Sequence, residues 1–200
     1  MAELTFTYGT MAAGKSTLAL QLCWQLRESR SDVALWTFGD RSDAGMVTSR
    51  IGIEAHAEKV APGVDLSGPL DQLVRAGTRI LVIDEVQFAS PAQIDQLACA
   101  VDEADLDVHA FGLSADFLLN VFPGSARLFA IADWAHELPL TATCWCGAKG
   151  RCNARVVNGV VAREGNQFVT GDVVHGVVHY QVLCRAHYRS GHLGPGSCDF

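Results

Sequence analysis

The sequence predicts an α/β fold in which helices flank a parallel sheet, and three observations support this. A complete G-x-x-x-x-G-K-[ST] motif at residues 9–16 directly follows the apolar run 4–8. Residues 79–85 contain four consecutive branched apolar residues that end in two acids. Short apolar segments alternate with amphipathic helical patterns along most of the chain, as in doubly wound sheets. We therefore expect a P-loop NTPase-like domain over residues 1–140.

The motif at residues 9–16 predicts a phosphate-binding loop. Its glycines permit a tight turn whose backbone N–H groups surround phosphate oxygens. Lys15 can reach the outer phosphates, and the Ser16 hydroxyl can bind Mg²⁺. An amphipathic helix with Leu18, Leu22 and Leu26 on one face follows, so its N-terminal dipole points at the phosphates. The expected ATP contacts are Gly9, Thr10, Met11, Ala12, Ala13, Gly14, Lys15 and Ser16.

Residues 32–38 predict a second buried strand, and residues 39–52 predict a polar loop at its carboxyl end. Ligands bind at that edge of an open parallel sheet. Asp40, Arg41 and Arg50 could therefore contact a substrate, or they could form a solvated charged loop. A short helix is expected over residues 66–76, after the Pro62-Gly63 break.

Residues 80–83 form a continuous apolar run, typical of a central parallel strand buried on both faces. The acids that follow it, Asp84 and Glu85, should emerge at the same edge as the phosphate loop. In nucleotide-binding proteins of this class the first acid serves Mg²⁺ and the second acts on the nucleophile. The alternative is that both acids cap the next helix, which the pattern places at residues 91–104.

The remaining elements of the first domain continue the alternation. Residues 107–113 predict another buried strand, residues 125–130 a helix, and a short strand is expected near Trp134. Together with the preceding elements, these complete the doubly wound sheet.

Cysteine and histidine spacing predicts a small zinc ribbon over residues 141–189. Cys144 and Cys146 precede a predicted β-hairpin formed by residues 154–161 and 167–169, and Cys184 and His187 follow it. Two ligand pairs that bracket a hairpin are typical of a structural zinc site with four protein ligands. Cys152 is an alternative to Cys146, and free thiols are an alternative to zinc. Residues 190–200 lack apolar periodicity, and we expect a disordered tail.

Composition limits the classes of function. The 200 residues include 49% hydrophobic residues, and the formal net charge is −7. This charge argues against a chain that binds duplex DNA or anionic membranes as a whole. The sequence has no apolar run long enough for a membrane span and no secretory signal, so a cytoplasmic protein is expected.

The motifs resemble those of the cytosolic, zinc-containing (type II) thymidine kinases. They are G-T-M-A-A-G-K-S, T-S-R-I-G, D-E-V-Q-F, G-L-S-A-D-F, L-T-A-T-C-W-C-G and H-Y-Q-V-L-C-R-A-H-Y. The last two motifs contain the two predicted pairs of zinc ligands. The resemblance covers residues 4–188. It implies transfer of the γ-phosphoryl of ATP to the 5′-hydroxyl of thymidine, which gives dTMP in deoxynucleotide salvage. It also implies a homotetramer inhibited by dTTP.

The resemblance assigns roles to individual residues. Asp84 would serve Mg²⁺, Glu85 would be the general base, and Val86 and Gln87 would join the ATP and magnesium contacts. The implied structural Zn²⁺ would be bound by Cys144, Cys146, Cys184 and His187. The implied thymidine contacts are Met11, Phe88, Leu113, Phe117, Phe122, Val169, Thr170, Gly171 and Tyr180.

The sequence departs from the family pattern at three places. Ala12-Ala13 replaces the usual Phe-Ser of the phosphate loop, residues 171–180 are longer than usual, and C-x-C replaces C-x-x-C. Base specificity for thymidine or deoxyuridine stays open. A different class of function, a P-loop ATPase that binds nucleic acid through its zinc ribbon, is the alternative.

Overall fold

The computed structural model describes residues 1–38, 45–139, 142–166 and 178–195. The strands are β1 (Leu4–Tyr8), β2 (Val33–Thr37), β3 (Met46–Thr48), β4 (Glu54–His56), β5 (Glu58–Lys59), β6 (Ile80–Asp84), β7 (Asp107–Gly112), β8 (Trp134–Glu137), β9 (Cys152–Val157), β10 (Val160–Val161) and β11 (Val178–Leu183). The helices are α1 (Lys15–Glu28), α2 (Ser67–Arg75), α3 (Pro91–Ala104), α4 (Pro123–Ile131) and α5 (Arg185–Ser190), and a 3-10 turn spans Val86–Phe88.

The chain divides into two compact units. Unit 1 comprises Met1–Gly9, Gly14–Ser114 and Phe122–Leu138. Unit 2 comprises Thr10–Ala13, Ala115–Val121 and the described residues of Pro139–Phe200. The tip of the phosphate loop thus groups with the C-terminal unit. The boundaries predicted from the sequence, after residues 140 and 189, stay predictions.

Unit 1 contains a six-stranded sheet in the order β5-β2-β6-β7-β1-β8. Every pairing in it is parallel. Thr37 pairs with Asp84, and Tyr8 pairs with Gly112 and Glu137. The carboxyl ends of these strands therefore lie at one edge of the sheet, where the phosphate loop and the acid pair begin. The prediction of a parallel sheet flanked by helices is confirmed.

Both faces of this sheet are buried. Side chains of α2, α3 and α4, including Leu70, Leu97 and Leu128, pack with strand residues in one hydrophobic cluster. Leu20 of α1 and Val47 of β3 belong to the cluster on the other face. Double burial explains the uninterrupted apolar run of β6. No helix in the described ranges has the length and apolar character needed to cross a membrane.

The prediction of a polar loop at residues 39–52 is wrong for residues 46–48. Residues 46–48 form β3, which pairs with β4 in an antiparallel hairpin. Ser49 closes the turn, because its hydroxyl oxygen accepts a hydrogen bond from the N–H of Ile53 at 3.2 Å. β5 then joins the sheet edge beside β2. Strands of only two or three residues are too short to show an alternating pattern, so the sequence analysis missed them.

Unit 2 contains a three-stranded antiparallel sheet in the order β10-β9-β11. Asn158 and Gly159 connect β9 to β10 with positive φ angles of 50° and 75°, the conformation of a type I′ hairpin turn. The turn lies inside residues 154–161, the first segment of the hairpin predicted from the sequence. The predicted strand at residues 167–169 lies outside the described residues. The carbonyl of the buried Leu193 accepts a hydrogen bond from the Gln181 side chain.

Candidate active site

The base of the phosphate loop is formed by residues of unit 1. Gly14 has φ +86° and caps α1, and its carbonyl accepts the N–H of Leu18 at 2.9 Å. This position favours glycine because residues with a side chain rarely adopt a left-handed backbone conformation. Lys15 begins the helix and is nearly buried, and its Nζ lies 3.5 Å from the Gly9 carbonyl oxygen. The helix N-terminus and this cation create a region suited to anions.

Asp84 ends β6 as a buried carboxylate and is hydrogen-bonded by the Ser16 side chain. Burial, followed by the charge of Glu85, raises the pKa of Asp84 to about 6, although Ser16 acts in the opposite direction. Its Oδ1 has no hydrogen-bond partner among the described residues. A buried carboxylate oxygen with an open lone pair, beside a serine hydroxyl, fits the ligand preference of Mg²⁺.

Glu85 adopts a left-handed backbone conformation, with φ 55° and ψ 33°. This conformation costs a non-glycine residue about 1 kcal/mol, and it ends the extended backbone of β6. The side-chain amide of Gln87 donates a hydrogen bond to Oε2 of Glu85. Gln87 is 1% exposed, and its Oε1 accepts the N–H of Leu113 at 3.0 Å. Gln87 therefore links the acid of β6 to the end of β7.

The end of β7 approaches Gln87 closely because residue 112 is a glycine. A Cβ added to Gly112 would lie 2.8 Å from Gln87 Oε1 and 2.9 Å from Val86 Cγ1. Val86 and Gln87, the predicted ATP contacts that follow the acid pair, are both buried. The Gln87 side chain supports Glu85, and the contact of both residues with ATP stays a prediction.

Three predicted base contacts belong to unit 1. The rings of Phe88 and Phe122 pack edge to face, with centroids 5.8 Å apart. Leu113 is buried, and its carbonyl accepts a 2.6 Å hydrogen bond from the Ser125 hydroxyl. The structure thus brings Phe88 and Phe122 together in an arrangement that aromatic pairs favour.

Unit 2 contains Met11 and the rest of the loop tip. Ala13 N–H donates to the Thr10 carbonyl at 3.3 Å, and Ala12 lies in the left-handed region with φ 59°. The N–H of Met11 donates to Oδ1 of Asn153 at 2.7 Å. The loop tip is therefore a tight turn attached to β9.

Phe117 and Tyr180, also predicted base contacts, lie around the buried Arg155 of the same unit. The Arg155 guanidinium lies 3.7 Å from the Phe117 ring centroid and 5.5 Å from that of Tyr180. Its Nε donates to the Tyr180 hydroxyl at 2.9 Å. Tyr188 of α5 donates its hydroxyl to the Phe117 carbonyl at 2.7 Å. Phe117 is thus fixed both at its ring and at its backbone.

Of the other predicted substrate residues, only Arg50 is among the described ones. Val169, Thr170 and Gly171 lie outside the described residues, as do Asp40 and Arg41. Arg50 is exposed, in the turn between β3 and β4. Their roles stay predictions.

Four side chains of unit 2 form a group that could hold a metal ion. One ligand atom from each of Cys144, Cys146, Cys184 and His187 lies within 4.8 Å of the others. His187 Nδ1 is 3.4 Å from the Sγ atoms of both Cys144 and Cys184. Ligand atoms of tetrahedral zinc are roughly 3.5 Å apart, so this donor set of three thiols and one imidazole fits zinc.

Cys146 belongs to this group and Cys152 does not. Gly147, with φ 81°, lets the chain reverse so that Cys144 N–H reaches the Ala148 carbonyl at 2.9 Å. Cys152 is instead buried in the hydrophobic cluster of unit 2. Burial, followed by the charge of Cys184, raises the pKa of the Cys152 thiol. The C-x-C pair therefore contributes both of its sulfurs to the group.

Burial raises the pKa of the Cys144 thiol, but hydrogen bonds outweigh it. Backbone donors at Cys146 and Cys184, together with the His187 side chain, lower that pKa to about 6. A site that favours the thiolate is suited to metal ligation, because the thiolate is the ligand form.

Sequence reasoning missed Asn153, Arg155 and Tyr188 as functional candidates. Asn153 and Arg155 alternate along β9 with Cys152, Ala154 and Val156, which lie in the hydrophobic cluster. The two polar residues therefore share the other face of the strand. That alternation was the available signal, but it does not identify what the polar face contacts.

Comparison with known proteins gives a consistent result. The family model described as thymidine kinase matches residues 2–188. A thymidine kinase of Streptomyces avermitilis is 47% identical over 193 residues, covering 94% of this chain and 89% of that protein. A thymidine kinase of Cutibacterium acnes is 44% identical, covering 97% of this chain and 91% of that protein.

Two further matches differ in strength. A thymidine kinase of Ruegeria pomeroyi is 40% identical and covers 98% of both chains. Among solved structures, the Pif1 helicase of Candida albicans aligns with 68% of this chain and 36% of that chain. With a TM-score of 0.41 and 17% sequence identity, this match is too weak to support an inference about this chain. The family match spans nearly the whole chain, together with the loop, the acid pair and the Cys/His group, and the chain belongs to the thymidine kinase family.

Proposed function

We propose that this enzyme transfers the γ-phosphoryl of ATP to the 5′-hydroxyl of thymidine and so produces dTMP for deoxynucleotide salvage. One observation carries the proposal: Glu85 is held by Gln87 immediately after Asp84, which is hydrogen-bonded by Ser16 of the phosphate loop. Unit 1 therefore contains a candidate phosphate-binding lysine, a candidate magnesium ligand and a candidate base. Phosphoryl transfer requires these groups.

In this mechanism Glu85 accepts the proton of the 5′-hydroxyl as that oxygen bonds to the γ-phosphorus. The bond from the γ-phosphorus to the bridging oxygen breaks, and ADP leaves with the electron pair. Lys15 and the loop amides neutralise the charge that develops on the transferred group. Ser16 and Asp84 would hold Mg²⁺, which supplies further neutralisation of the phosphates. Arg41 or Arg50 is a candidate for a further positive charge. Most of the rate enhancement comes from positioning and electrostatics.

We assign the nucleoside base to the predicted apolar residues, because flat bases are held well by aromatic side chains. In unit 1 the proposed contacts are Phe88, Leu113 and Phe122. The same role is proposed, from the family resemblance alone, for Met11, Phe117, Val169, Thr170, Gly171 and Tyr180. Backbone hydrogen bonds would distinguish thymine from other bases.

The Cys/His group would hold a structural Zn²⁺. All four donors are protein side chains, so such a site has no open position for substrate. Its contribution would be to the folding of unit 2, where it joins the segment before β9 to the start of α5.

Kinase activity of the purified protein tests the proposal. ATP is supplied with thymidine, deoxyuridine, deoxycytidine or deoxyadenosine, and the monophosphates are quantified. We expect thymidine to give the highest kcat/KM. Glu85→Gln should lose at least a hundredfold in kcat and retain ATP binding, since general base catalysis contributes about 10²–10⁴-fold. Glu103→Gln, at an exposed position of α3, is the matched control. An active Glu85→Gln enzyme would exclude the proposed base.

The remaining parts of the proposal have separate tests. Competition by dTTP against both substrates tests feedback inhibition, and sedimentation velocity tests the homotetramer. A cytoplasmic location is part of the same proposal, testable by cell fractionation.

Tight binding of single-stranded DNA, combined with no product from any nucleoside, would instead favour the P-loop ATPase that binds nucleic acid.

A further inference from the structure

Asn153 connects two segments of unit 2 that are distant in sequence. Its Oδ1 accepts the N–H of Met11 at 2.7 Å, and its Nδ2 donates to the Ala115 carbonyl at 3.4 Å. Asn153 is 6% exposed, so water does not readily replace these bonds. One buried carboxamide therefore contacts both the tip of the phosphate loop and the segment that begins at Ala115.

The loop tip needs such an anchor. Ala12 has a left-handed backbone, which is unfavourable for a residue with a side chain. The 3.3 Å hydrogen bond from Ala13 N–H to the Thr10 carbonyl is a long one. The bond from Met11 to Asn153 is the shorter contact, and it attaches the tip to a strand in the middle of a three-stranded sheet.

The Ala115 segment is ordered by its own contacts. Asp116 Oδ1 accepts the N–H groups of Leu118 and Asn120, and Ala115 pairs with Val121. The segment contains Phe117, the proposed base contact under Arg155. Its first carbonyl is bound by Asn153, so this segment and the loop tip share one support.

We propose that Asn153 is a positioning residue for phosphoryl transfer: its carboxamide sets the spacing between the Met11 loop tip and the Ala115 segment. The proposal rests on the proposed function, because these segments are assigned to ATP and nucleoside there. Asn153 touches neither substrate in this role. It acts through the Met11 amide and the Ala115 carbonyl.

The test compares Asn153→Leu, which keeps the side-chain shape, with Asn153→Asp, which keeps the acceptor for Met11. In Asn153→Leu we expect amide hydrogen exchange at Met11 to accelerate about tenfold and the KM values for ATP and thymidine to rise about five- to tenfold. In Asn153→Asp, Met11 exchange should stay within about twofold of the wild type. Gln181→Leu, which removes an amide-to-carbonyl bond from β11, is the matched control and should change neither readout.

The outcomes separate the two proposals. An active wild type whose Asn153→Leu variant has unchanged Met11 exchange and unchanged KM values overturns the role of Asn153. A wild type that exchanges as expected but does not phosphorylate thymidine contradicts the proposed function and leaves the anchor in place. If Asn153→Leu does not fold, Asn153→Ser gives the same comparison, because a shorter side chain cannot span both partners.

Discussion

Gln87 holds Glu85 from the interior of unit 1. Its amide nitrogen donates to Glu85 Oε2 while its amide oxygen accepts the N–H of Leu113. Both ends of the carboxamide are thus engaged, which fixes its orientation. The carboxylate of Glu85 is positioned by a buried group rather than by solvent.

Replacing Gln87 should therefore reduce catalysis more than substrate binding. In Gln87→Leu we expect kcat to fall about 10- to 100-fold, with KM for ATP changed less than about threefold, because the base loses its orientation. The unpaired Leu113 N–H should also cost about 1–3 kcal/mol of stability. Steady-state kinetics and thermal unfolding measure the two effects.

Gln93 provides a matched control for that experiment. It is also 1% exposed, and its side chain bonds Gly63 and the carbonyls of Ala61 and Val64. Gln93→Leu should lose comparable stability and keep kcat. An equal loss of kcat in both variants would show that Gln87 acts only through stability.

Asp84 should oppose stability at neutral pH. Burial and Glu85 raise its pKa in the folded state from 3.8 to about 6. Between these pH values the folded protein holds a proton that the unfolded chain has released, so this group makes stability fall as the pH rises. Asp84→Asn should therefore be about 1–3 kcal/mol more stable than the wild type at pH 8. The gain should shrink as the pH falls through 6.

Unfolding of both proteins in denaturant between pH 4 and 8 measures this difference. Asp71→Asn, which removes an exposed partner of Arg75 on α2, should show no comparable trend. In the wild type, affinity for magnesium and ATP should increase as the pH rises through about 6, since the ionised carboxylate is the ligand form. A pH-independent stability difference would contradict the raised pKa.

The strongly patterned elements could be predicted from the sequence. The apolar run of β6 and the helix at Pro91–Ala104 have unambiguous periods, and Ser90 and Gln93 form a capping box at the start of that helix. The parallel sheet follows from this alternation of strands and helices. β5 could not be predicted, because two polar residues at a sheet edge are specified by pairing with β2 alone.

The supporting contacts of the site could not be predicted either. Gln87 and Leu113 are 26 positions apart, and Met11 and Asn153 are 142 positions apart. Such pairs depend on how the chain packs, which no local period specifies. The same applies to Cys146 and Cys152, because the choice between them depends on the turn at Gly147.

Replacing Cys146 should reduce zinc binding, whereas replacing Cys152 should not. Cys146→Ser should reduce bound zinc and lower Tm, since breaking the ligand set removes folding free energy from unit 2. Cys152→Ala should retain about one zinc per chain and lose only packing. Elemental analysis and thermal unfolding distinguish them. Full zinc content in Cys146→Ser, with loss in Cys152→Ala, would assign the fourth ligand to Cys152.

Arg155 should determine nucleoside affinity without changing ATP affinity. Its guanidinium covers the Phe117 ring and binds the Tyr180 hydroxyl, so Arg155→Met should release both rings. We expect KM for thymidine to rise about tenfold, since cation–π and charged hydrogen bonds each contribute about 1–2 kcal/mol. KM for ATP should stay within about twofold. Arg155→Lys should not restore affinity, because an ammonium cannot stack on Phe117 while donating sideways to Tyr180.

Arg127 supplies the control for this prediction. It forms an exposed ion pair with Asp95 in unit 1, so Arg127→Met should leave both KM values unchanged. Kinetics with each substrate varied at saturation of the other separate the effects. If Arg155→Met instead raised both KM values equally, Arg155 would serve the fold of unit 2 as a whole. A selective loss of thymidine affinity is expected only if Phe117 and Tyr180 contact the base.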